Sequence, residues 1–129
     1  MSNLAIANTE NGGFMSTVDN STPEGRIALV NALNASTSLK DMSDTPFVVK
    51  DIVLNKGVRS QTGEDCVNTH LILDNGDCVM SQSDGIARSA LAIINAWNGD
   101  LGDGIKMVVD EKKLSNGRTL KSLKVIEQL

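Results

Sequence analysis

Apolar residues alternate with polar ones in short runs after Phe47, a pattern typical of half-buried β-strands. Two Asn-Gly dipeptides, at residues 75–76 and 116–117, each stand between two such runs. Asn-Gly supplies the positive φ angles of a two-residue hairpin turn. The pattern therefore predicts two β-hairpins, with a further strand that begins at Phe47.

An amphipathic helix is predicted between the two hairpins. Ser83 or Asp84 can cap its start, and Gly99 follows the last apolar position, where helices commonly end. The apolar positions that recur at helical spacing are Ile86, Ala90, Ile93, Ile94 and Trp97. Trp97 is therefore expected to pack in the core rather than to stack on a ligand.

The resulting order, β-β-β-α-β-β, is that of a five-stranded OB-type barrel, a mainly β fold that commonly holds oligonucleotides or oligosaccharides on one face. We predict this barrel over residues 47–129 and an N-terminal helical extension, not an independent domain, over residues 1–46. Asn, Ser, Thr and Gly dominate residues 1–21 and predict a flexible or loosely attached arm. Thr22 and Pro23 then favour the start of a helix of about three turns.

A two-residue turn at residues 75–76 places Leu73 opposite Cys78 and sorts the side chains of the first hairpin onto two faces. The face expected in the core carries Val67, Leu71, Leu73, Cys78 and Met80. The other face is the candidate platform for unstacked bases and carries Asn68, His70, Ile72, Val79, Ser81 and Ser83.

The charge of the chain is uneven. The whole chain has a formal net charge of −4, of which residues 1–46 carry −3 and residues 47–129 carry −1. The last hairpin is locally basic, and a two-residue turn there places Lys112 opposite Lys121. Such like charges favour a bound anion, for which a phosphate backbone is one candidate. The alternative is that both lysines are solvated, where screening leaves little repulsion.

These considerations give a set of candidate nucleic-acid-binding residues. They are Lys50, Lys56, Arg59, His70, Arg88, Lys112, Lys113, Arg118 and Lys121. For His70 the alternative is a structural strand histidine, and for Arg88 a solvated helix position. With two Phe, one Trp and no Tyr, stacking on bases is expected to be modest, so that contacts to the DNA backbone carry more of the binding.

Several other classes of protein are excluded or disfavoured by the sequence. The chain has no apolar run near the ~20 residues of a membrane span, and Met1–Glu10 lacks the features of a secretory signal, so we expect a cytoplasmic protein. Cys66 and Cys78 are expected to be free thiols. Neither a metal nor another cofactor is predicted, because no residues stand at ligand spacing. One histidine with scattered aspartates makes no catalytic constellation, so we do not expect an enzyme.

Three segments carry a resemblance to a known family: residues 14–19 (FMSTVD), 22–26 (TPEGR) and 81–89 (SQSDGIARS). They resemble single-stranded DNA-binding proteins of bacteriophages and related mobile elements. The resemblance implies an OB-fold protein that coats single-stranded DNA during replication or recombination, in the host cytoplasm if a phage encodes it. Replication or recombination proteins are then candidate partners, and monomer and homo-oligomer both stay open. The alternative function is a non-catalytic OB-fold protein-interaction module.

Overall fold

A computed structural model of the chain describes residues 5–6, 14–34, 37–39, 45–59 and 61–129. These residues form seven strands and two helices, so the predicted mainly β fold with helices is confirmed. In chain order they are β1 (Ala5–Ile6), β2 (Phe14–Ser16), α1 (Pro23–Leu33), β3 (Phe47–Val58), β4 (Asp65–Leu73), β5 (Cys78–Ser81), α2 (Asp84–Ala96), β6 (Ile105–Lys113) and β7 (Thr119–Gln128).

The long strand β3 organises the antiparallel sheet. Its first residues, 47–49, pair with β6, whereas residues 53–55 pair with β2, and β4 lies along most of its length. The register with β4 shifts between Val49 and Asp51, where β3 leaves β6. Because such a shift bends a strand, it lets one sheet turn around the core. β5 then pairs with β4, and β7 with β6.

The main core lies between the curved sheet and α2. Side chains from β3, β4, β6 and α2 meet there, and Trp97 packs against them half-buried, as predicted. Ser83 caps α2, because its hydroxyl accepts a hydrogen bond from the Ile86 amide. Leu39, from the segment between α1 and β3, is 2% exposed and belongs to the same core.

The turn of the first hairpin has three residues, so the predicted two-residue turn is wrong. The Gly76 amide donates to the Leu73 carbonyl at 3.0 Å, and Gly76 alone in the turn has a positive φ, of 90°. Asn75 instead accepts a hydrogen bond from the Asp77 amide on its side-chain oxygen at 2.9 Å. Such Asx bonding stabilises a type I turn followed by a left-handed glycine. The second hairpin repeats this turn with Leu114, Asn116, Gly117 and Arg118 in the corresponding places.

The longer turns shift both registers by one residue, which moves side chains of β5 to the opposite face from the one predicted. Cys78 pairs with Ile72, and Val79 with Leu71, so Val79 lies in the core while Cys78 and Met80 are only half-buried. Val67, also predicted in the core, is 37% exposed. The predicted division of this hairpin into core and platform faces is therefore wrong for these residues.

Helix α1 covers part of the face that was predicted to be an open platform. A second, smaller core lies between α1 and the outer side of β3 and β4. It contains Val18, Leu29, Ala32, Val53 and Ile72. Ile72 is 8% exposed and its neighbour His70 is 2% exposed, so neither is open to a base. The physical reason is that both faces of β4 carry apolar side chains, and the N-terminal extension buries the second face.

The N-terminal segment is anchored where the structure describes it. Ser16, Thr17 and Val18 are buried, and β2 pairs with β3. The Thr17 hydroxyl donates to the Asp51 carboxylate at 2.8 Å and accepts from the Ile52 amide at 2.9 Å. The prediction of a loosely attached arm is therefore wrong for residues 14–18, while residues 1–4 and 7–13 lie outside the described residues.

Because Asp51 is part of this contact with Thr17, we expect the stability of the protein to depend on pH. Burial raises the pKa of Asp51, which outweighs the lowering by the Thr17 hydroxyl. The folded state therefore binds this proton more tightly than the unfolded state, and the contribution of Asp51 to stability falls as pH rises from its usual pKa through the raised one. We expect Asp51→Asn to stabilise the protein at neutral pH by up to about 1 kcal/mol, and this gain to shrink as pH falls from the raised pKa to the usual value of 3.8.

The measurement is urea unfolding of both proteins between acidic and neutral pH. Asp110→Asn serves as the control, because Asp110 is an exposed aspartate of β6. That variant should unfold as the original protein does. A stability difference for Asp51→Asn that stays constant with pH would contradict the assigned role of burial.

Candidate nucleic-acid interface

A groove with a volume of about 480 Å³ opens between β5 and β7. Its floor is apolar and contains Leu39, Ile86 and Val109, all nearly fully buried. Arg59 and Lys121 provide two cations at the groove. The hydroxyl-bearing residues along its sides are Ser38, Ser81 and Ser83. The groove thus combines an apolar floor with hydroxyl groups and positive charge.

The start of α2 sets one side of the groove. The Ser81 hydroxyl accepts a hydrogen bond from the Ser83 amide at 3.1 Å, which fixes the turn from β5 into the helix. Gly85 then brings α2 against β7, since a Cβ on this residue would lie 2.0 Å from the Lys121 carbonyl oxygen. Only glycine permits so close an approach of two backbones. Helix and strand therefore hold the two sides of the groove at a fixed separation.

The segment 37–39 forms another side of the groove. Ser38 makes a parallel bridge to Met80, and the Met80 amide donates to the Thr37 carbonyl at 2.8 Å. This segment has no periodic apolar pattern in the sequence. The single signal in it was Leu39, an isolated apolar residue whose burial in the core brings the segment against β5.

Arg59 is held at the groove by two contacts from one of its nitrogens. That nitrogen donates to the Gln82 carbonyl and to the Asp84 carboxylate, both at 3.1 Å. The Arg59 side chain stays 33% exposed. A guanidinium group has five N–H donors on three nitrogens. Contacts through a single nitrogen therefore leave the N–H groups of the other two nitrogens pointing in other directions. Arg59 is therefore positioned to bind an anion such as a phosphate.

Lys121 faces Glu111 rather than Lys112, so the predicted pair of opposed lysines is wrong. In the observed register Glu111 pairs with Lys121 at an N–O distance of 3.9 Å, and Lys112 pairs with Leu120. Because side chains alternate along a strand, Lys112 and Lys121 lie on opposite faces of the hairpin. The three-residue turn causes this difference from the prediction.

The remaining predicted cations fall into two groups. Lys113 and Arg118 are exposed at the end of the second hairpin, and Lys113 is on the same face as Lys121. Leu54, Thr69 and Ser81 are paired neighbours on three adjacent strands and face the same side of the sheet. Lys56 is the next residue of β3 on that side. Arg88 is exposed one helical turn after Asp84. By contrast, Lys50 lies beside Gly104 and does not line the groove.

His70 lies on the outer side of β4, away from the groove face. Its Nε2 is 2.9 Å from the Asn55 side-chain oxygen, whereas its Nδ1 has no partner among the described residues. Burial lowers the pKa of His70, so the ring is neutral at neutral pH. The neighbouring Asn68 accepts a hydrogen bond from Gln82 at 3.0 Å. This part of the predicted platform is thus occupied by hydrogen bonds within the protein.

The described part of the chain also bears on metal binding and on membrane insertion. It contains no group of three or more His, Cys, Asp or Glu side chains that could hold a metal ion. Within the same residues no helix has the length and apolar character needed to cross a bilayer. Cys66 and Cys78 are not joined by a disulfide, as predicted.

A small β-rich protein with a cation-lined groove and an exposed basic hairpin is typical of the nucleic-acid-binding class. The family model for phage single-stranded DNA-binding protein, of the Phi29 type, matches residues 8–126, and the chain belongs to this family. The predicted identification with phage single-stranded DNA-binding proteins is confirmed, and the protein is a single-stranded DNA-binding protein. Neither a curated protein nor a solved structure matches the chain.

Proposed function

We propose that this protein coats single-stranded DNA without sequence preference during replication or recombination, and that it has no catalytic activity. The observation that carries the proposal is the concentration of cations in the second hairpin. Between Glu111 and Glu127 the chain has no acid. The cations in that interval are Lys112, Lys113, Arg118, Lys121 and Lys124. Phosphates are the same in every sequence, so such contacts bind any strand.

The proposed path of the DNA backbone follows the groove and continues onto the hairpin. Arg59 and Lys121 line the groove, and Lys113 is on the same hairpin face as Lys121. Further cations proposed along this path are Lys56, Arg88 and Arg118, whereas Lys112 is on the hairpin face opposite to Lys121 and is left out. We leave Lys50 and His70 out, because Lys50 lies beside Gly104 and His70 is 2% exposed.

The strand order supports an OB-type barrel over residues 47–129. β3, β4 and β5 follow one another as a meander, α2 comes next, and the hairpin of β6 and β7 returns to the first residues of β3. This is the order β-β-β-α-β-β of that fold, in which loops beside the barrel grip oligonucleotides. Residues 1–46 are then an extension of this barrel, and within it Val18 and helix α1 cover the outer side of β3 and β4.

The salt dependence of binding tests this proposal. If five cations meet phosphates, log K for an oligothymidine strand should fall against log salt with a slope near −3.5. Fluorescence anisotropy of a labelled strand at several salt concentrations measures this slope. Duplex DNA of the same length should compete poorly, because a groove with an apolar floor suits unpaired bases. A flat salt response with no binding would contradict the proposal.

A protein-interaction module is the second candidate function. Helix α1 exposes Ile27 and Val30, which are 62% and 55% accessible and lie one turn apart. Adjacent exposed apolar side chains favour contact with another protein. Such a contact with replication or recombination proteins, or with a second copy of the chain, is compatible with DNA binding through the groove. Absence of DNA binding together with capture of such a protein would favour this function alone.

A further inference from the structure

We infer that the groove between β5 and β7 takes an unstacked base of the bound strand, with a neighbouring phosphate held by Arg59 and Lys121. The inference rests on the proposed function and names the part of the DNA that this site recognises. It places a base-binding site on the inner side of the sheet. The platform predicted from the sequence was instead on the outer side of β4, where α1 and internal hydrogen bonds cover it.

The lining of the groove suits a base. Met80 is a half-buried apolar residue at the groove, above the buried floor of Ile86 and Val109, and Ser81 and Ser83 offer groups that donate and accept hydrogen bonds to the edge of a base. A volume of about 480 Å³ is within the range of small-molecule sites. Since hydroxyl groups both donate and accept, such a lining accommodates every base and agrees with binding that is independent of sequence.

The charges around the groove match a nucleotide rather than an uncharged ligand. Arg59 is fixed by the Gln82 carbonyl and the Asp84 carboxylate, while Lys121 is half-buried beside Glu111. A phosphate between Arg59 and Lys121 would contact two cations that the fold already holds in place. A preorganised site of this kind loses little conformational entropy when it binds.

A buried polar group next to the groove is a second, independent observation. Thr69 pairs with Ser81 across β4 and β5 on the same face of the sheet. Its hydroxyl is buried and has no hydrogen-bond partner among the described residues. Buried hydroxyls in native proteins nearly always have a partner. If a base enters the groove beside Ser81, its edge brings a polar group to the side of the core where the Thr69 hydroxyl lies.

The inference also accounts for the low aromatic content. Proteins that bind single strands usually stack bases on aromatic side chains. This chain has two Phe, one Trp and no Tyr, and Trp97 packs against the core. A base seated in a groove with an apolar floor would replace an exposed aromatic platform, because the groove removes part of the apolar surface of the base from water.

The test compares two substitutions at one position. Ser81→Leu fills the groove, whereas Ser81→Ala removes the same hydroxyl and its hydrogen bond to the Ser83 amide without filling it. We expect Ser81→Leu to bind an oligothymidine strand about tenfold more weakly than the original protein, and Ser81→Ala, which loses one hydrogen-bonding group but keeps the groove open, to bind only about threefold more weakly. A matched abasic strand, with the same phosphates and no bases, should bind equally to all three proteins. Thermal unfolding midpoints check that both variants fold.

A measurement on the unaltered protein keeps the inference testable if Ser81→Leu does not fold. A strand with one 2-aminopurine per binding site should become more fluorescent on binding, because the probe leaves its stacked neighbours for the groove. Unchanged fluorescence, or equal affinity of the unaltered protein for normal and abasic strands, would overturn the inference while leaving DNA binding intact. If the protein bound neither strand, the proposed function itself would fail.

Discussion

Replacement of Gly85 by alanine is expected to destabilise the protein by about 3 kcal/mol or more, which corresponds to a fall of about 10 °C in the unfolding midpoint. Elsewhere in a helix the same change stabilises by roughly 0.5–1 kcal/mol, because alanine loses less backbone entropy on folding. Here a Cβ would lie 2.0 Å from the Lys121 carbonyl oxygen, so the helix start and β7 must move apart. Ser83 and Lys121 belong to those two elements and line the groove.

Gly102→Ala is the matched control for this prediction. Gly102 has a positive φ of 60°, but the nearest atom to a new Cβ is 3.7 Å away. Gly102→Ala therefore tests backbone strain without a steric clash, and it should lower the free energy of unfolding by about 1–2 kcal/mol. Calorimetry on both variants gives the comparison. If Gly85→Ala were as stable as the original protein, or less affected than Gly102→Ala, the close approach of α2 and β7 would be contradicted.

Reversal of charge at Lys113 and Arg118 is expected to give the largest loss of DNA binding, of about 100-fold at 0.1 M salt. Both residues are exposed at the end of the second hairpin, so their replacement by Glu removes two proposed phosphate contacts and adds repulsion. The salt slope should become less steep by about 1.4. Stability should change little, because neither side chain is buried.

Arg26 and Lys50 provide the matched control, with one Arg and one Lys replaced by Glu in the same way. Arg26 is on α1, and Lys50 is exposed beside Gly104 and does not line the groove. The net charge changes equally, so any difference between the two double variants comes from position. We expect the control to bind within about threefold of the original protein. Equal losses for both variants would indicate a general effect of charge instead of the proposed path.

The position of the second hairpin's cations illustrates how far the sequence could predict the site. Arg118 and Lys113 were placed correctly at an exposed hairpin end from the Asn-Gly turn and the alternating pattern. The pairing of Lys112 with Lys121 was wrong by one residue. Asn-Gly is compatible both with a two-residue turn and with the second half of a three-residue turn, so the dipeptide locates a turn without fixing its length.

The groove could not be predicted from the sequence, because its parts come from distant segments. Leu39, Val109 and Lys121 meet there, and each belongs to a different part of the chain. Four groove residues, Arg59, Ser81, Ser83 and Lys121, had been assigned to binding from the sequence, but on separate surfaces. Ser81 reaches the groove because the register shift turns its side chain to the other face. Packing of Leu39 into the main core, which brings its segment against β5, is a tertiary contact with no local signature.

The sequence by itself determined the family, the mainly β composition of the fold, the helix between the hairpins and the basic character of the last hairpin. These properties depend on local spacing and residue type, which a single segment contains. Only the tertiary structure decided the register of the hairpins, the covering of β4 by α1 and the position of the groove. Register depends on which apolar face meets the core, so Val79 and not Cys78 faces inward beside Leu71. Contacts between distant segments fix that choice, and the sequence of one hairpin does not contain them.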